Sequence, residues 1–283
     1  MTKHRDRCRE LRPRAIDRVM QRRSFIALAL LAAACGASQP SESASATSHG
    51  RAHPMTKRVL LAMTSHDKKG NTGEATGAYL AEVSHPLEVF RTAGFEVEFA
   101  SVRGGKVPLD GVDRNDSINA AFLDDEKTMA KLHTSLPSAE VDPSRYDAIF
   151  FAGGHGAMWD LPSDPGFASV ATRIYERGGV VAAVCHGPAA LVDVKLTDGR
   201  YLVAGKDVSA FTNDEERAVK LETVVPFLLA DRLAERGARL HEAPLWQKQV
   251  SVSERLVTGQ NPASATATAE AVVALLAKPT AKP

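Results

Sequence analysis

Short apolar runs of strand length alternate with segments of helical period through most of the chain. The segment KRVLLAMTS at residues 57–65 is a continuous apolar run that ends in polar residues, which is typical of a central parallel strand buried on both faces. Three later stretches have the same character: EVEFAS, YDAIFFAGG and GGVVAAVC. Between them lie segments with apolar residues at helical spacing, such as PGFASVATRIYERGG. The order strand, helix, strand therefore repeats.

The first predicted helix lies in AYLAEVSHPLEVFRTAG at residues 78–94. Its apolar residues recur at helical spacing, and it ends at Gly94, a residue type that favours helix C-termini. Pro86 lies inside this segment, where its ring and its missing N–H should kink the helix or make it restart.

The second half of the chain continues the alternation. It predicts a short strand around LVAGKDVSA, a long amphipathic helix from about Asp214 to Arg236, a pair of strands around RLHEA and VSVSERLVTG, and a last helix from Pro262 to Ala277. Residues 102–142 are rich in Asp, Lys and Pro, and we expect them to form an excursion over one edge or lip of the site.

The complete pattern predicts an α/β fold with a doubly wound, mostly parallel sheet, helices on both faces and right-handed crossovers. Binding sites in such sheets lie at the carboxyl ends of the strands. The sequence shows no internal repeat and no second domain boundary, so we expect residues 55–283 to form a single domain.

Residues 1–54 lack this pattern and predict an export signal followed by a tether. The segment MQRRSFIALALLAAAC at residues 20–35 places an arginine pair before an apolar run too short to span a bilayer as a mature helix. RRSFI is typical of a twin-arginine leader. Met20 is the expected start, because Met1 to Val19 is basic and unpatterned. A Ser/Ala-rich stretch follows, so we expect an exported protein of the periplasm or cell envelope.

Cys35 follows three alanines at the end of the apolar run, which resembles a lipoprotein cleavage site. Such sites usually carry a larger aliphatic residue three positions earlier, where this chain has Ala32. Two interpretations therefore stand: a lipid anchor at Cys35, or a soluble exported protein cut near Ala34 to Ala37.

The composition narrows the class of protein. The chain has 283 residues, a net charge of +1 and 44% apolar residues, which suits a folded domain with a proper core. Charges of both signs are interspersed and aromatic residues are few, so we expect no nucleic-acid partner. The cysteines lie at positions 8, 35 and 185, without a CxxC pair and without the spacing of a zinc site or disulfide framework.

Cys185 ends a predicted strand and is followed at once by His186, Gly187 and Pro188. Ala183 and Gly187 supply the small neighbours that a nucleophile on a sharp strand-to-helix turn requires. Pro188 suits the first turn of a following helix, whose positive end should favour the thiolate and lower the pKa of Cys185. A buried structural cysteine is the alternative. The combined features favour a nucleophile.

Two histidines and a glycine-rich turn are further candidates for this site. His186 is either a hydrogen-bonded structural residue or a group that exchanges protons with the thiol. The turn GGHG at residues 153–156 ends another strand, and the N–H of Gly154 with that of His186 would form an oxyanion hole. His155 either lines the pocket or lies on a surface loop.

Five segments together resemble one known family: TGAYLAEVSHP (76–86), FFAGGHGAMWDLP (150–162), GGVVAAVCHGPAAL (178–191), AFTNDEE (210–216) and LVTGQNPASA (256–265). They are similar to the glyoxalase III and heat-shock chaperone branch of the PfpI-like superfamily, over nearly the whole chain from Lys57 onward. AVCHGP is typical of the superfamily, and TGAYLAE followed by HP is typical of the branch. The resemblance implies the flavodoxin-like fold shared with class I glutamine amidotransferases.

The resemblance also implies roles for four residues. Cys185 would be the nucleophile, His186 its triad histidine, and Glu82 the carboxyl that moves protons beside the sulfur. The acid that orients the histidine falls on Glu216. From the residues alone, Glu82 is either an exposed helical charge or a buried carboxyl with a raised pKa.

The assignment of Glu216 stays open because Asp214 and Glu215 lie beside it. Thr212 with Glu215, or Asn213 with Glu216, also fits a capping box for the following helix. Asn261 and Pro262 suit the N-cap and first position of the last helix, and we interpret NPASA as mainly structural.

The activity implied by the resemblance is that of glyoxalase III. This reaction converts methylglyoxal or glyoxal to lactate or glycolate through a hemithioacetal on the cysteine, without glutathione, metal or other cofactor. The expected partner is a small dicarbonyl substrate, and the expected assembly is a homodimer. Two alternatives of the same family stay open: a holdase for unfolded proteins, and repair of glycated proteins.

Other classes of function are less favoured. Amidotransferases of this fold place a His-x-Glu pair late in the chain, whereas here the only histidine past residue 200 is His241, followed directly by Glu242. A cysteine hydrolase or peptidase that pairs Cys185 with His241 remains an alternative. A metal site of Cys185 with His155 and His186 is disfavoured, because adjacent residues rarely direct both side chains to one ion.

Overall fold

The computed structural model describes residues 56–277. The predicted leader, the tether and Cys35 lie outside this range. Within it, no helix combines the length and apolar character needed to cross a bilayer.

Residues 56–277 contain twelve strands and eight α-helices. The strands are β1 (Arg58–Met63), β2 (Ala78–Tyr79), β3 (Glu96–Ser101), β4 (Arg103–Gly105), β5 (Leu109–Asp110), β6 (Ser135–Pro137), β7 (Ala148–Phe151), β8 (Val180–Val184), β9 (Asp207–Val208), β10 (Arg239–Leu240), β11 (Val250–Ser253) and β12 (Leu256–Gly259). The helices are α1 (Leu80–Thr92), α2 (Ser117–Asp124), α3 (Glu126–His133), α4 (Ala157–Asp160), α5 (Pro165–Glu176), α6 (Asn213–Ala218), α7 (Leu229–Glu235) and α8 (Ala265–Ala277). Short 3₁₀ turns include Gly187–Leu191 directly after β8.

Eight strands form the main sheet in the order β11-β12-β8-β7-β1-β3-β6-β4. The six central strands are parallel, and the two edge strands β11 and β4 pair antiparallel with their neighbours. The predicted mostly parallel α/β fold is therefore confirmed. Because β1, β7 and β8 are parallel neighbours, the segments after their carboxyl ends meet at one edge of the sheet.

The central strands are buried on both faces, as the continuous apolar runs predict. In β1 every residue from Val59 to Met63 is fully buried. Val59, Leu61 and Met63 pack against α1 and α8 on one face, and Leu60 and Ala62 belong to the core on the opposite face, which includes α5. The period of two along the strand thus serves two apolar cores.

The predicted long helix from Asp214 to Arg236 is wrong. The structure has two short helices there, α6 and α7, separated by residues 219–228. Pro226 lacks the N–H that a continuing helix needs and disfavours helical backbone at the preceding residue. Lys220 adopts a left-handed backbone with φ of 61°, which ends α6.

Three smaller predictions are also changed or refined. The helix α1 continues through Pro86 without restarting. RLHEA contributes β10, which pairs with β9, whereas VSVSERLVTG by itself forms the hairpin β11–β12. The excursion at residues 102–142 adds β4 and β6 to the sheet edge beyond β3.

Candidate active site

Cys185 lies at a sharp turn between β8 and the 3₁₀ turn at Gly187–Leu191. Its φ of 60° is left-handed, a strained conformation for a residue with a side chain. The strain is held by backbone bonds: its N–H donates to the carbonyl of Gly259 at 2.9 Å, and its carbonyl accepts from the N–H of Phe211 at 2.9 Å. A Cβ at Gly187 would lie 2.3 Å from the carbonyl oxygen of Phe151, which explains the glycine there.

The sulfur of Cys185 contacts the neighbouring imidazole, with 3.3 Å between Sγ and Nδ1 of His186. The Nε2 of His186 lies 2.9 Å from Oε2 of Glu216. The carboxylate assigns the ring proton to Nε2, which leaves Nδ1 as an acceptor facing the sulfur. Burial, reinforced by His155, lowers the pKa of His186 to about 4, so the imidazole is neutral at pH 7.

Glu216 holds two histidines at once. Its Oε1 lies 2.9 Å from Nε2 of His155, and its Oε2 bonds to His186. Burial alone would raise the pKa of Glu216, but the hydrogen bonds from His155 and His186 outweigh burial and lower the pKa to about 2. The neighbouring Glu215 forms the capping box with Thr212 instead. The structure therefore brings Glu216, and not Glu215, to His186.

Glu82 lies in the first turn of α1 and is fully buried. Its Oε2 accepts a hydrogen bond of 2.8 Å from the N–H of Gly153, and its Oε1 has no hydrogen-bond partner of ordinary geometry among the described residues. Burial raises the pKa of Glu82 to about 8, although hydrogen bonds with Cys185 and Gly153 oppose this. The carboxyl is therefore protonated at neutral pH and lies within reach of the sulfur.

The expected lowering of the Cys185 pKa is wrong. Burial raises the pKa of the thiol well above its ordinary value, and a charged Glu82 would raise it further. The helix after Cys185 is only five residues of 3₁₀ turn, so it carries little of the dipole that the prediction relied on. Hydrogen bonds from the amides of Gly154 and His186 act in the opposite direction. These are the two amides predicted to form an oxyanion hole, and both point at the sulfur.

The turn after β7 must be made of glycine to approach the other elements. Gly154 has φ of +95°, and a Cβ there would lie 2.3 Å from the carbonyl oxygen of Gly77. A Cβ at Gly153 would lie 2.6 Å from the amide of His186 and 2.7 Å from Oε2 of Glu82. The two glycines thus let three separate segments meet at the sulfur.

A cavity of about 730 Å³ opens onto Cys185. Its lining includes Gly154, His155, Cys185 and His186, whereas Glu82 does not line it. Further lining residues are Lys69, Thr72, Glu74, Tyr79, Asp110, Phe211, Val219, Lys220, Leu221, Val224, Trp246, Asn261, Pro262 and Ala263. Asp110 comes from the excursion at residues 102–142, which was expected to form a lip of the site.

Two aromatic residues of this cavity had no predicted role. The Phe211 ring lies 4.3 Å from the His186 ring between centroids, and the Trp246 ring lies 5.9 Å from that of Phe211. Phe211 stands in AFTNDEE, next to the residues already singled out, so its position was available as a signal. Trp246 lies in a loop without periodicity, and nothing in the sequence indicates that it reaches the cavity.

The position of His241 bears on the alternative of a cysteine hydrolase or peptidase. His241 pairs with Asp207 at 3.0 Å, is half exposed and is absent from the lining of this cavity within residues 56–277. It therefore lies in the wrong place to serve Cys185 as a base. Among residues 56–277, the ligand atoms of His155, His186 and Glu216 lie within 4.8 Å of one another, so this group, rather than a set with Cys185, is the one that could hold a metal ion. Each histidine Nε2 already bonds to its own oxygen of Glu216.

Comparison with known proteins gives one consistent family. Residues 75–275 match the DJ-1/PfpI family. The glutathione-independent glyoxalase HSP31 of Saccharomyces cerevisiae is 37% identical over 231 residues, covering 75% of this chain and 95% of the yeast protein. Glyoxalase 3 of Candida albicans is 35% identical over 237 residues, covering 77% and 97%. The X-ray structure of Rapid Encystment Protein 24 KDa of Francisella tularensis is 40% identical, with a TM-score of 0.77, covering 79% of this chain and 100% of that one.

Proposed function

Since this chain belongs to the DJ-1/PfpI family, we propose that it is a glutathione-independent glyoxalase that converts methylglyoxal and water to lactate. The observation that carries the proposal is the meeting of Cys185, His186 and Glu82: a thiol with a neutral imidazole on one side and a protonated carboxyl on the other. Relatives at 35% and 37% identity bear the names of glyoxalases of this kind.

The first step joins the sulfur to the substrate. As Sγ of Cys185 bonds to the aldehyde carbon, Nδ1 of His186 takes the thiol proton, and Glu82 gives its proton to the aldehyde oxygen. The amides of Gly154 and His186 donate to the sulfur, so they stabilise the negative charge that develops there as the thiol proton leaves. The products are a neutral hemithioacetal, an imidazolium paired with Glu216, and an ionised Glu82.

The second step moves hydrogen between the two carbons. The Glu82 carboxylate takes the hydrogen of the former aldehyde carbon while the imidazolium protonates the ketone oxygen, which gives an enediol. Glu82 then returns a proton to the second carbon and His186 takes the hydroxyl proton of the first, which gives a thioester. This internal transfer oxidises one carbon and reduces its neighbour, so no external oxidant or reductant is required.

Water completes the cycle. Glu82, now ionised, takes a proton from water as it attacks the thioester, and the imidazolium of His186 protonates the departing sulfur. The thiol, the neutral imidazole and the protonated carboxyl are restored. The net reaction adds one molecule of water to the 2-oxoaldehyde.

The experiment that tests this function measures lactate formed from methylglyoxal by the full chain without glutathione. We expect turnover in the wild type and its loss in Cys185→Ser and in Glu82→Gln. Glu88→Gln is the matched control, because Glu88 lies on the same helix but is exposed. Lactate formation that persists in Cys185→Ser would overturn the mechanism, provided that circular dichroism shows each variant to be folded.

We also propose that the leader exports the protein to the periplasm or cell envelope. The support is the RRSFI motif and the apolar run that follows it. Replacing Arg22 and Arg23 by lysine should retain the protein in the cytoplasmic fraction. If Cys35 carries a lipid, Cys35→Ala should move the exported protein from the membrane fraction to the soluble fraction.

A further inference from the structure

The cavity over Cys185 is much larger than the substrate of the proposed function. Methylglyoxal is a three-carbon molecule, whereas a cavity of about 730 Å³ lies in the range that holds drug-sized ligands. Most of the volume therefore extends beyond the atoms that react at the sulfur. The side chains along this extension indicate what it would bind.

One wall of the extension is aromatic. The Phe211 ring packs beside the His186 ring at 4.3 Å, and the Trp246 ring follows at 5.9 Å from Phe211. Phe211 is buried, whereas Trp246 is 45% exposed at the mouth of the cavity. A substituent on the carbon next to the bound aldehyde would thus meet aromatic surface from the imidazole outward.

The loop that carries the exposed Trp246 is held in place by a network of hydrogen bonds. Trp246 has φ of 62°, a strained backbone that persists only where its surroundings fix it. The backbone N–H of Trp246 donates to Oε1 of the buried Glu215 at 3.0 Å. Asn261 donates to the carbonyl of Gln247 at 2.8 Å, and Gln260 accepts from the N–H of Ala243 at 2.8 Å. The loop that carries the indole is therefore anchored on both sides.

We propose that the preferred substrates are 2-oxoaldehydes that bear an aromatic or bulky apolar substituent, an inference that rests on the proposed function. Phe211 and Trp246 bind that substituent, and Trp246 determines the specificity. The reaction is otherwise unchanged: an aryl 2-oxoaldehyde gains one water molecule and becomes the aryl 2-hydroxy acid. The sulfur and the protons follow the same path as with methylglyoxal.

The experiment compares kcat/KM for phenylglyoxal and for methylglyoxal, as initial rates of the full chain. We expect the wild type to prefer phenylglyoxal, and Trp246→Ala to lower kcat/KM for phenylglyoxal about tenfold more than that for methylglyoxal, through KM. Trp246→Phe should restore most of the preference. Leu245→Ala should leave the preference unchanged, because Leu245 is 42% exposed on the same loop and does not line the cavity.

An equal effect of Trp246→Ala on both substrates, or no effect on either, would overturn the inference. A failure of the proposed function is distinguishable, since the wild type would then turn over neither aldehyde. In that case the binding of mandelate and lactate to Cys185→Ser still tests the aromatic wall. Tighter binding of mandelate that is lost in the Cys185→Ser, Trp246→Ala double variant supports the wall, and equal binding of the two acids overturns it.

Discussion

Two fully buried glutamates organise two regions of this protein in opposite ways. Glu215 accepts five hydrogen bonds: from the N–H and hydroxyl of Thr212, and from Trp246, Gln260 and Asn261. Glu82 accepts one of ordinary geometry, from the N–H of Gly153, besides its interaction with the Cys185 thiol, and its second oxygen has no partner of ordinary geometry among residues 56–277. The two carboxyls are therefore equally buried, but their oxygens accept very different numbers of hydrogen bonds.

This difference separates an anchor from a reactive group. Donors that saturate both oxygens fix Glu215, and with it the loop of Trp246, in one arrangement. The missing donors at Glu82 leave burial as the dominant influence, so its pKa rises to about 8 and its proton is available to a bound carbonyl compound. An unsatisfied buried polar group is a cost to stability, and in this protein that cost lies beside the nucleophile.

The largest effect is expected for Glu82→Gln, which should lower the activity and raise the stability of the protein. At pH 7 we expect kcat to fall by a factor of about 10²–10⁴ because the proton carrier is lost. The raised pKa favours the protonated carboxyl in the folded state, so its stabilising effect is lost as pH rises from about 4.5 to about 8. The neutral amide avoids that loss and should raise the free energy of unfolding by about 3 kcal/mol at pH 7.

The stability of Glu82→Gln is measured by denaturant unfolding at pH 7 and at pH 4, where the gain should vanish because the carboxyl is protonated in both states. Glu88→Gln should change neither quantity. A variant that is inactive and also less stable at pH 7 would contradict the contrast between the two glutamates.

The opposite outcome is expected for Glu215→Gln. Its amide nitrogen must face donors that now bond to oxygen, so the free energy of unfolding should fall by about 3 kcal/mol. The measurement is denaturant unfolding at pH 7. Asp214→Asn is the control, since Asp214 is exposed next to Glu215 and its loss should cost less than about 0.5 kcal/mol. A stable Glu215→Gln protein would remove the role of Glu215 as an anchor.

A third buried acid, Glu216, lies between these two extremes because its oxygens serve two histidines. In Glu216→Gln only one oxygen remains to accept, so His186 loses the bond that fixes its ring proton or competes for it with His155. We expect kcat to fall about 100-fold. His155→Asn leaves the bond from His186 to Glu216 and should therefore cost less. Equal losses in both variants would show that orientation of His186 is not the important effect.

The smallest expected effect is the change of the wild-type kcat/KM with pH. The reaction starts from a neutral His186, with a pKa of about 4, and a protonated Glu82, with a pKa of about 8. The rate should be level between these values and fall about tenfold per pH unit outside them. Glu82→Gln should lack the alkaline decline in its residual rate. A wild-type rate that keeps rising above pH 8 would mean that Glu82 acts from its ionised form.

Several parts of this architecture could be predicted from the sequence because they depend on local pattern. The apolar runs of β1 and β8 identify buried parallel strands, and such strands place their following segments at one edge of the sheet. The small residues around Cys185 predict the strained turn that the structure shows. The segment with Pro226 shows where local pattern fails. Its amphipathic spacing predicts one long helix, but proline breaks that helix.

The sequence by itself determined the parallel sheet and the position of the thiol at a strand end, because both follow from residue type and short-range spacing. The candidates Glu82, His186 and Glu216 came from the resemblance of five segments to a known family. Only the tertiary structure decided that Glu216 rather than Glu215 reaches His186, that Glu82 is protonated and that Trp246 lines the cavity. These outcomes depend on burial and on contacts between residues far apart in the chain, such as Glu82 with Gly153. Desolvation is set by every neighbour in space, and spacing along the chain does not record it.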